Sequence, residues 1–116
     1  MDPRLRAELT RVLENAGPGA DHAAIALGDG PIRQRLRSSM LALAESRGPG
    51  SSTCPSDAAR AVEGENWRDL MPEALEIARE LAESGDVQIT KRGHVLDVLD
   101  ASRDWRGPIR IRIRRR

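Results

Sequence analysis

The sequence predicts a mainly α fold with a small antiparallel β wing: a winged helix-turn-helix behind an N-terminal helical extension. Three observations carry this reading. Apolar residues recur at helical spacing through most of residues 3–84. The period then drops to two in "VQIT" at 87–90 and "IRIRI" at 109–113. Glycine and proline clusters separate the segments. The order, helices first and a hairpin last, is that of a winged helix. The expected division is 1–30 for the extension and 31–116 for the winged-helix domain with a basic C-terminal strand and arm.

Residues 3–16 read as a helix. Asp2 suits the N-cap and Pro3 the first helical position. Leu5, Leu9, Val12, Leu13 and Ala16 share one side, and "GPG" at 17–19 stops the run. Two short helical turns fit after Asp21, bounded by Gly28 and Gly30. A clear helix follows over 32–46, striped by Ile32, Leu36, Met40, Leu43 and Ala44, with Arg33, Arg35 and Arg37 off the stripe. Pro55 opens the next helix, with Asp57 in its first turn and Ala58, Ala59 and Val62 as a small inner face. "EGENWRD" connects it to a helix from about Leu70 to Ser84, which Gly85 terminates. "VQIT" is a strand, "KRGH" a turn, and "VLDV" either a second strand or loop. "DASRDWRGP" is loop, and "IRIRI" closes the hairpin.

Composition narrows the chemistry. There is no Phe or Tyr, so Trp67 and Trp105 are the only aromatic residues. Trp67 is expected to plug the gap between the last two helices. Trp105 either stacks on a partner or folds back on the wing strands. A single cysteine, Cys54, excludes an internal disulfide and points to a reducing, cytoplasmic setting. No apolar run approaches the roughly 18 residues of a membrane span, and the charged N-terminus is unlike a secretory signal. Membrane association is not expected.

Charge is divided unevenly. Residues 1–90 hold 10 basic and 15 acidic residues, a net of −5, whereas residues 91–116 hold 9 and 3, a net of +6. Lys91 is the only lysine. The arginine bias suits bidentate recognition of phosphate, although GC-rich coding also produces it.

The stretches "CPSDAARAV", "WRDLMP", "GDVQITKRG" and "GPIRIRI" occur here in that order. Together, over about residues 32–113, they closely resemble the bacterial domain-of-unknown-function family 3253. The resemblance implies a winged-helix-like fold and brings no established activity or catalytic residues with it. Some relatives look fused to a cysteine-rich, zinc-binding-type segment, which this chain lacks.

In a DNA-reading winged helix the last helix enters the major groove. Here Met71, Ala74, Leu75, Ala78, Leu81 and Ala82 form its expected inner face, leaving Glu73, Glu76, Ile77, Glu80, Glu83 and Ser84 outward. Only Arg79 and Arg68 are near enough in sequence to offset the glutamates. Each like charge costs on the order of 1–2 kcal/mol at about 4–8 Å from a phosphate, so this helix is a poor reading surface.

The C-terminal strand differs. Ile109, Ile111 and Ile113 share one face and Arg110, Arg112 and Arg114 the other. Lys91, Arg92, Arg103, Arg106, Arg115 and Arg116 extend the basic set. Six phosphate contacts would give a salt slope of about −5. Alternatively the arginines pair with the acidic helices of the same chain, or guard an exposed edge strand.

Cys54 precedes a helix start, where a thiol can be activated. No histidine is near it in sequence, since His22 and His94 are both distant, and no metal set exists. There is no phosphate loop or nucleophile elbow. The expectation is therefore a domain without catalysis and without a cofactor, binding nucleic acid through its wing and arm. The alternative is a protein-interaction or self-association module using the acidic helix and basic wing. The first helix either packs on its own domain or pairs with a second copy in a homodimer.

Overall fold

The computed structural model describes residues 2–96 and 109–114. Helix α1, Pro3–Glu14, begins where predicted. The Asp2 carboxylate accepts from the backbone N–H groups of Arg4 and Leu5, at 3.0 and 3.5 Å, which satisfies donors a helix start leaves open. Leu5, Leu9 and Val12 are buried on its inner face. The chain leaves the helix two residues earlier than its stripe suggests, and Ala16 takes a positive φ of 51°. Gly19, at φ 89°, turns the chain into α2, Ala20–Leu27. A Cβ at Gly19 would lie 3.1 Å from Glu45 Cβ, so glycine permits both the turn and the close approach.

Helix α3, Ile32–Arg47, is the centre of the molecule. It packs against α1, α2, α4, Pro55–Val62, and α5, Met71–Glu83. Residues 38–44 are consequently buried all round the helix rather than along one stripe. Small residues allow α4 to close on it: the buried Ser39 Oγ donates to the Ala58 carbonyl at 3.1 Å. A 3₁₀ turn, Trp67–Leu70, joins α4 to α5. Trp67 is half-buried there against the core, and the guanidiniums of Arg60 and Arg68 each sit 4.5 Å from its ring centroid.

The sheet contains β1, Val87–Lys91, β2, His94–Val95, and β3, Ile109–Ile113, in the order β2-β1-β3. Both pairings are antiparallel. β1 and β2 are joined by a two-residue turn, Arg92 and Gly93, with φ of 53° and 83°, the signs a type I′ hairpin needs. On the side of β3 away from β1, Thr53 bridges to Ile111: Thr53 N–H donates to the Ile111 carbonyl at 2.8 Å, and Ile111 N–H donates to the Thr53 carbonyl at 2.7 Å. This is a winged helix with α1 and α2 added in front.

One core runs through both parts. Leu9 of α1 and Ala23 of α2 belong to the same buried cluster as Leu36, Met40, Ile77, Leu81, Ile89 and Ile111. Leu5, Leu9 and Val12 of α1 are thus covered by their own domain, whereas Leu13, expected on the same side, is 40% exposed because the helix ends at Glu14. Ile77 corrects the sequence reading. It is 2% exposed, not outward, because α5 packs against both α3 and β1 and so needs a wider apolar face. Among the described residues, no helix is long and apolar enough to cross a membrane.

Candidate nucleic-acid interface

The β1–β3 register sets Ile89 opposite Ile111, Val87 opposite Ile113, Thr90 opposite Arg110 and Gln88 opposite Arg112. Paired residues share a face. Ile109, Ile111 and Ile113 are buried, whereas Arg110 and Arg114 are exposed and Arg112 is half-exposed. The alternation therefore divides β3 into a core face and an arginine face, as its period implies.

Arg110 and Arg112 are held by neutral groups. Arg110 donates from Nε to Ser52 Oγ and from Nη2 to the Ser52 carbonyl, both at 2.9 Å. That carbonyl also accepts from Arg47 at 3.2 Å. Arg112 Nη2 donates to Gln88 Oε1 at 2.7 Å. Arg114 is fixed through its backbone, whose N–H donates to the Asp86 carbonyl at 3.2 Å. Among the described residues, none of these three guanidiniums forms an ion pair with a carboxylate. Neutral acceptors orient the Arg110 and Arg112 side chains without cancelling their charge, which leaves two oriented cations on one face of the sheet, with the exposed Arg114 following β3.

The other basic candidates are placed differently. Arg92 is exposed at the tip of the β1–β2 hairpin. Lys91 pairs with Ile109 and so stands on the isoleucine side of the sheet, opposite Arg110 and Arg112. Grouping it with the arginines is thus corrected by the period-two geometry of β1. Arg103, Arg106, Arg115 and Arg116 lie outside the described residues, as does Trp105.

The acidic side of α5 holds a partner that local sequence does not reveal. Arg33, in the first turn of α3, reaches Glu73 at 3.0 Å, Glu76 at 3.7 Å and also Glu80. Hydrogen bonds to Glu73 and Glu80 raise its pKa above the ordinary arginine value. Arg79 pairs with Glu83 within α5 at 3.4 Å. The glutamates are offset mainly by Arg33, some 40 residues upstream of Glu73, and not by Arg68, whose guanidinium sits on Trp67.

Cys54 is the N-cap residue of α4, with its Sγ 3.1 Å from Ser56 Oγ. Among the described residues, no group of His, Cys, Asp and Glu could hold a metal ion.

The model of a family described as a protein of unknown function, DUF3253, matches residues 33–114. The chain belongs to the DUF3253 family. The DUF3253 match runs from the first turn of α3 to the residue after β3, and so spans the winged helix, the Arg33 clasp and the arginine face of β3. Helices α1 and α2 precede it. No curated protein matches the chain.

Proposed function

We propose that this DUF3253 domain is a non-catalytic, cytoplasmic nucleic-acid-binding winged helix. It contacts phosphates through the outer face of its wing and its C-terminal arm. The carrying observation is that Arg110 and Arg112 share one sheet face and are held by Ser52 and Gln88 instead of by carboxylates, with the exposed Arg114 next along the chain. Arg92 adds an exposed cation at the hairpin tip. Neutral anchoring supports the reading because a guanidinium already paired with a carboxylate has little left to offer a phosphate.

The acidic α5 supports phosphate contact over base reading. Its exposed positions, Glu76, Arg79, Glu80 and Glu83, carry more negative than positive charge, a poor match for a groove lined by phosphates. The alternative, an interaction or self-association module, is less well supported. Arg33 occupies three of the glutamates, and Leu5, Leu9 and Val12 of α1 are spent on the domain's own core.

Fluorescence anisotropy with a labelled short DNA duplex and a labelled RNA hairpin tests the proposal. Measured at about 50 and about 200 mM salt, affinity should fall by roughly 10²–10³ between the two. Absence of binding to both probes at the lower salt would overturn it.

A further inference from the structure

A cavity that the proposed function does not use lies on another part of the molecule. It occupies about 490 Å³ between the start of α2, the outer side of α3, the C-terminal end of α5 and the end of β3. That is the size of a small-molecule site, typically about 300–1,000 Å³, and too small for a macromolecule.

Its walls carry both signs of charge. Arg37 and Arg114 line it, and neither guanidinium makes a hydrogen bond or ion pair among the described residues. Asp86 and Glu45 line it too. The Asp86 carboxylate is set in place by Ser84, whose Oγ donates to Asp86 Oδ2 at 2.6 Å. His22 completes the lining. Its Nδ1 is buried and, among the described residues, has no hydrogen-bond partner. Buried polar atoms are nearly always satisfied, so this nitrogen is suited to a polar atom supplied by a ligand.

We propose that this cavity binds a small zwitterion, a free α-amino acid. A phosphate or polycarboxylate would be drawn by Arg37 and Arg114 but repelled by Asp86. A simple amine would meet the reverse. A molecule with one carboxylate and one ammonium satisfies both walls: the two guanidiniums donate to its carboxylate, and Asp86 accepts from its ammonium. His22 Nδ1 is within the same cavity for a further polar contact. Arg37, His22 and Asp86 lie outside the arginine face of the wing, so the site stands independently of the nucleic-acid reading. Arg114 alone belongs to both.

Isothermal titration of the full chain with each standard amino acid tests this. Acetate, ethylamine and inorganic phosphate serve as single-charge probes. At least one amino acid should bind saturably with one site per chain, and more tightly than any single-charge probe. Arg37→Gln and Asp86→Asn should each weaken it about tenfold or more, with the melting temperature of the unliganded variants unchanged. Arg37→Gln should still bind duplex or RNA like the parent, which separates this site from the wing. Three results would overturn the proposal: no amino acid binds, a single-charge probe binds as tightly, or Arg37→Gln binds amino acid like the parent.

Discussion

Arg47 of α3 grips Glu8 of α1 with a two-toothed hydrogen bond, Nε to Oε1 at 3.2 Å and Nη2 to Oε2 at 3.1 Å. Its remaining nitrogen, Nη1, donates to Asp57 at the start of α4, at 2.9 Å. One guanidinium thus fastens the helix outside the DUF3253 match to two helices within it. Hydrogen bonding to Glu8 raises the Arg47 pKa in spite of the opposing effect of burial.

Arg47→Met should therefore destabilise the whole domain, not only α1. The three side chains are 17–23% exposed, so the loss should fall between that of surface and buried pairs, at about 1–3 kcal/mol. Urea unfolding should show a lower midpoint with an unchanged slope. A Glu8→Gln, Arg47→Met double-mutant cycle should show coupling, since the two groups share one contact.

Asp57 makes the fold acid-sensitive. Burial pushes its pKa up, but hydrogen bonds from Arg47 and Thr53 outweigh this and hold it below the ordinary aspartate value. A folded value below the unfolded one means its contribution is complete above the unfolded value of about 3.9. It is lost as pH falls through the lower folded value. Asp57→Asn should cost about 1–2 kcal/mol at neutral pH, and thermal melts should show the gap between variant and parent narrowing as pH drops below about 4.

Ile77 distinguishes the packing seen from the one its sequence position suggests. An outward Ile77 would tolerate truncation. Buried at 2% exposure, Ile77→Ala should cost about 2–4 kcal/mol, read as a fall in melting temperature.

The arginine face can be counted through its salt dependence. If Arg110 and Arg112 each meet one phosphate, Arg110→Gln with Arg112→Gln should reduce the log–log salt slope by about 2. Stability should change little, because the partners Ser52 and Gln88 are only partly buried and can turn to water. An unchanged slope with weakened folding would place these arginines in the architecture alone.

Local pattern made much of this legible. Pro3 and Pro55 mark helix starts, Gly85 a helix end, and the isoleucine–arginine alternation assigns the two faces of β3. The parts that escaped depend on contacts between distant residues. Arg33 meets Glu73, Glu76 and Glu80 only because α3 and α5 pack together. Ile77 sits at the margin of the apolar stripe, where two neighbouring elements, not periodicity, decide burial. Lys91 shares its charge with the arginines but its parity with Ile89, which assigns it to the other side of the sheet. Thr53 carries no strand signal in "SSTCP", and its bridge to Ile111 exists only once the loop before α4 is laid along β3.

That bridge bears on how the chain behaves at high concentration. A ribbon rich in isoleucine with a vacant flank is a template for fibrillar stacking. Here the amide and carbonyl of Ile111 are both taken by Thr53 within the same molecule, and the Arg110 guanidinium folds over the adjacent Ser52. A neighbouring chain would have to strip Thr53 away before it could add on at this point. Shortening or proline substitution of the 51–53 segment should make the chain more prone to polymerise than the parent.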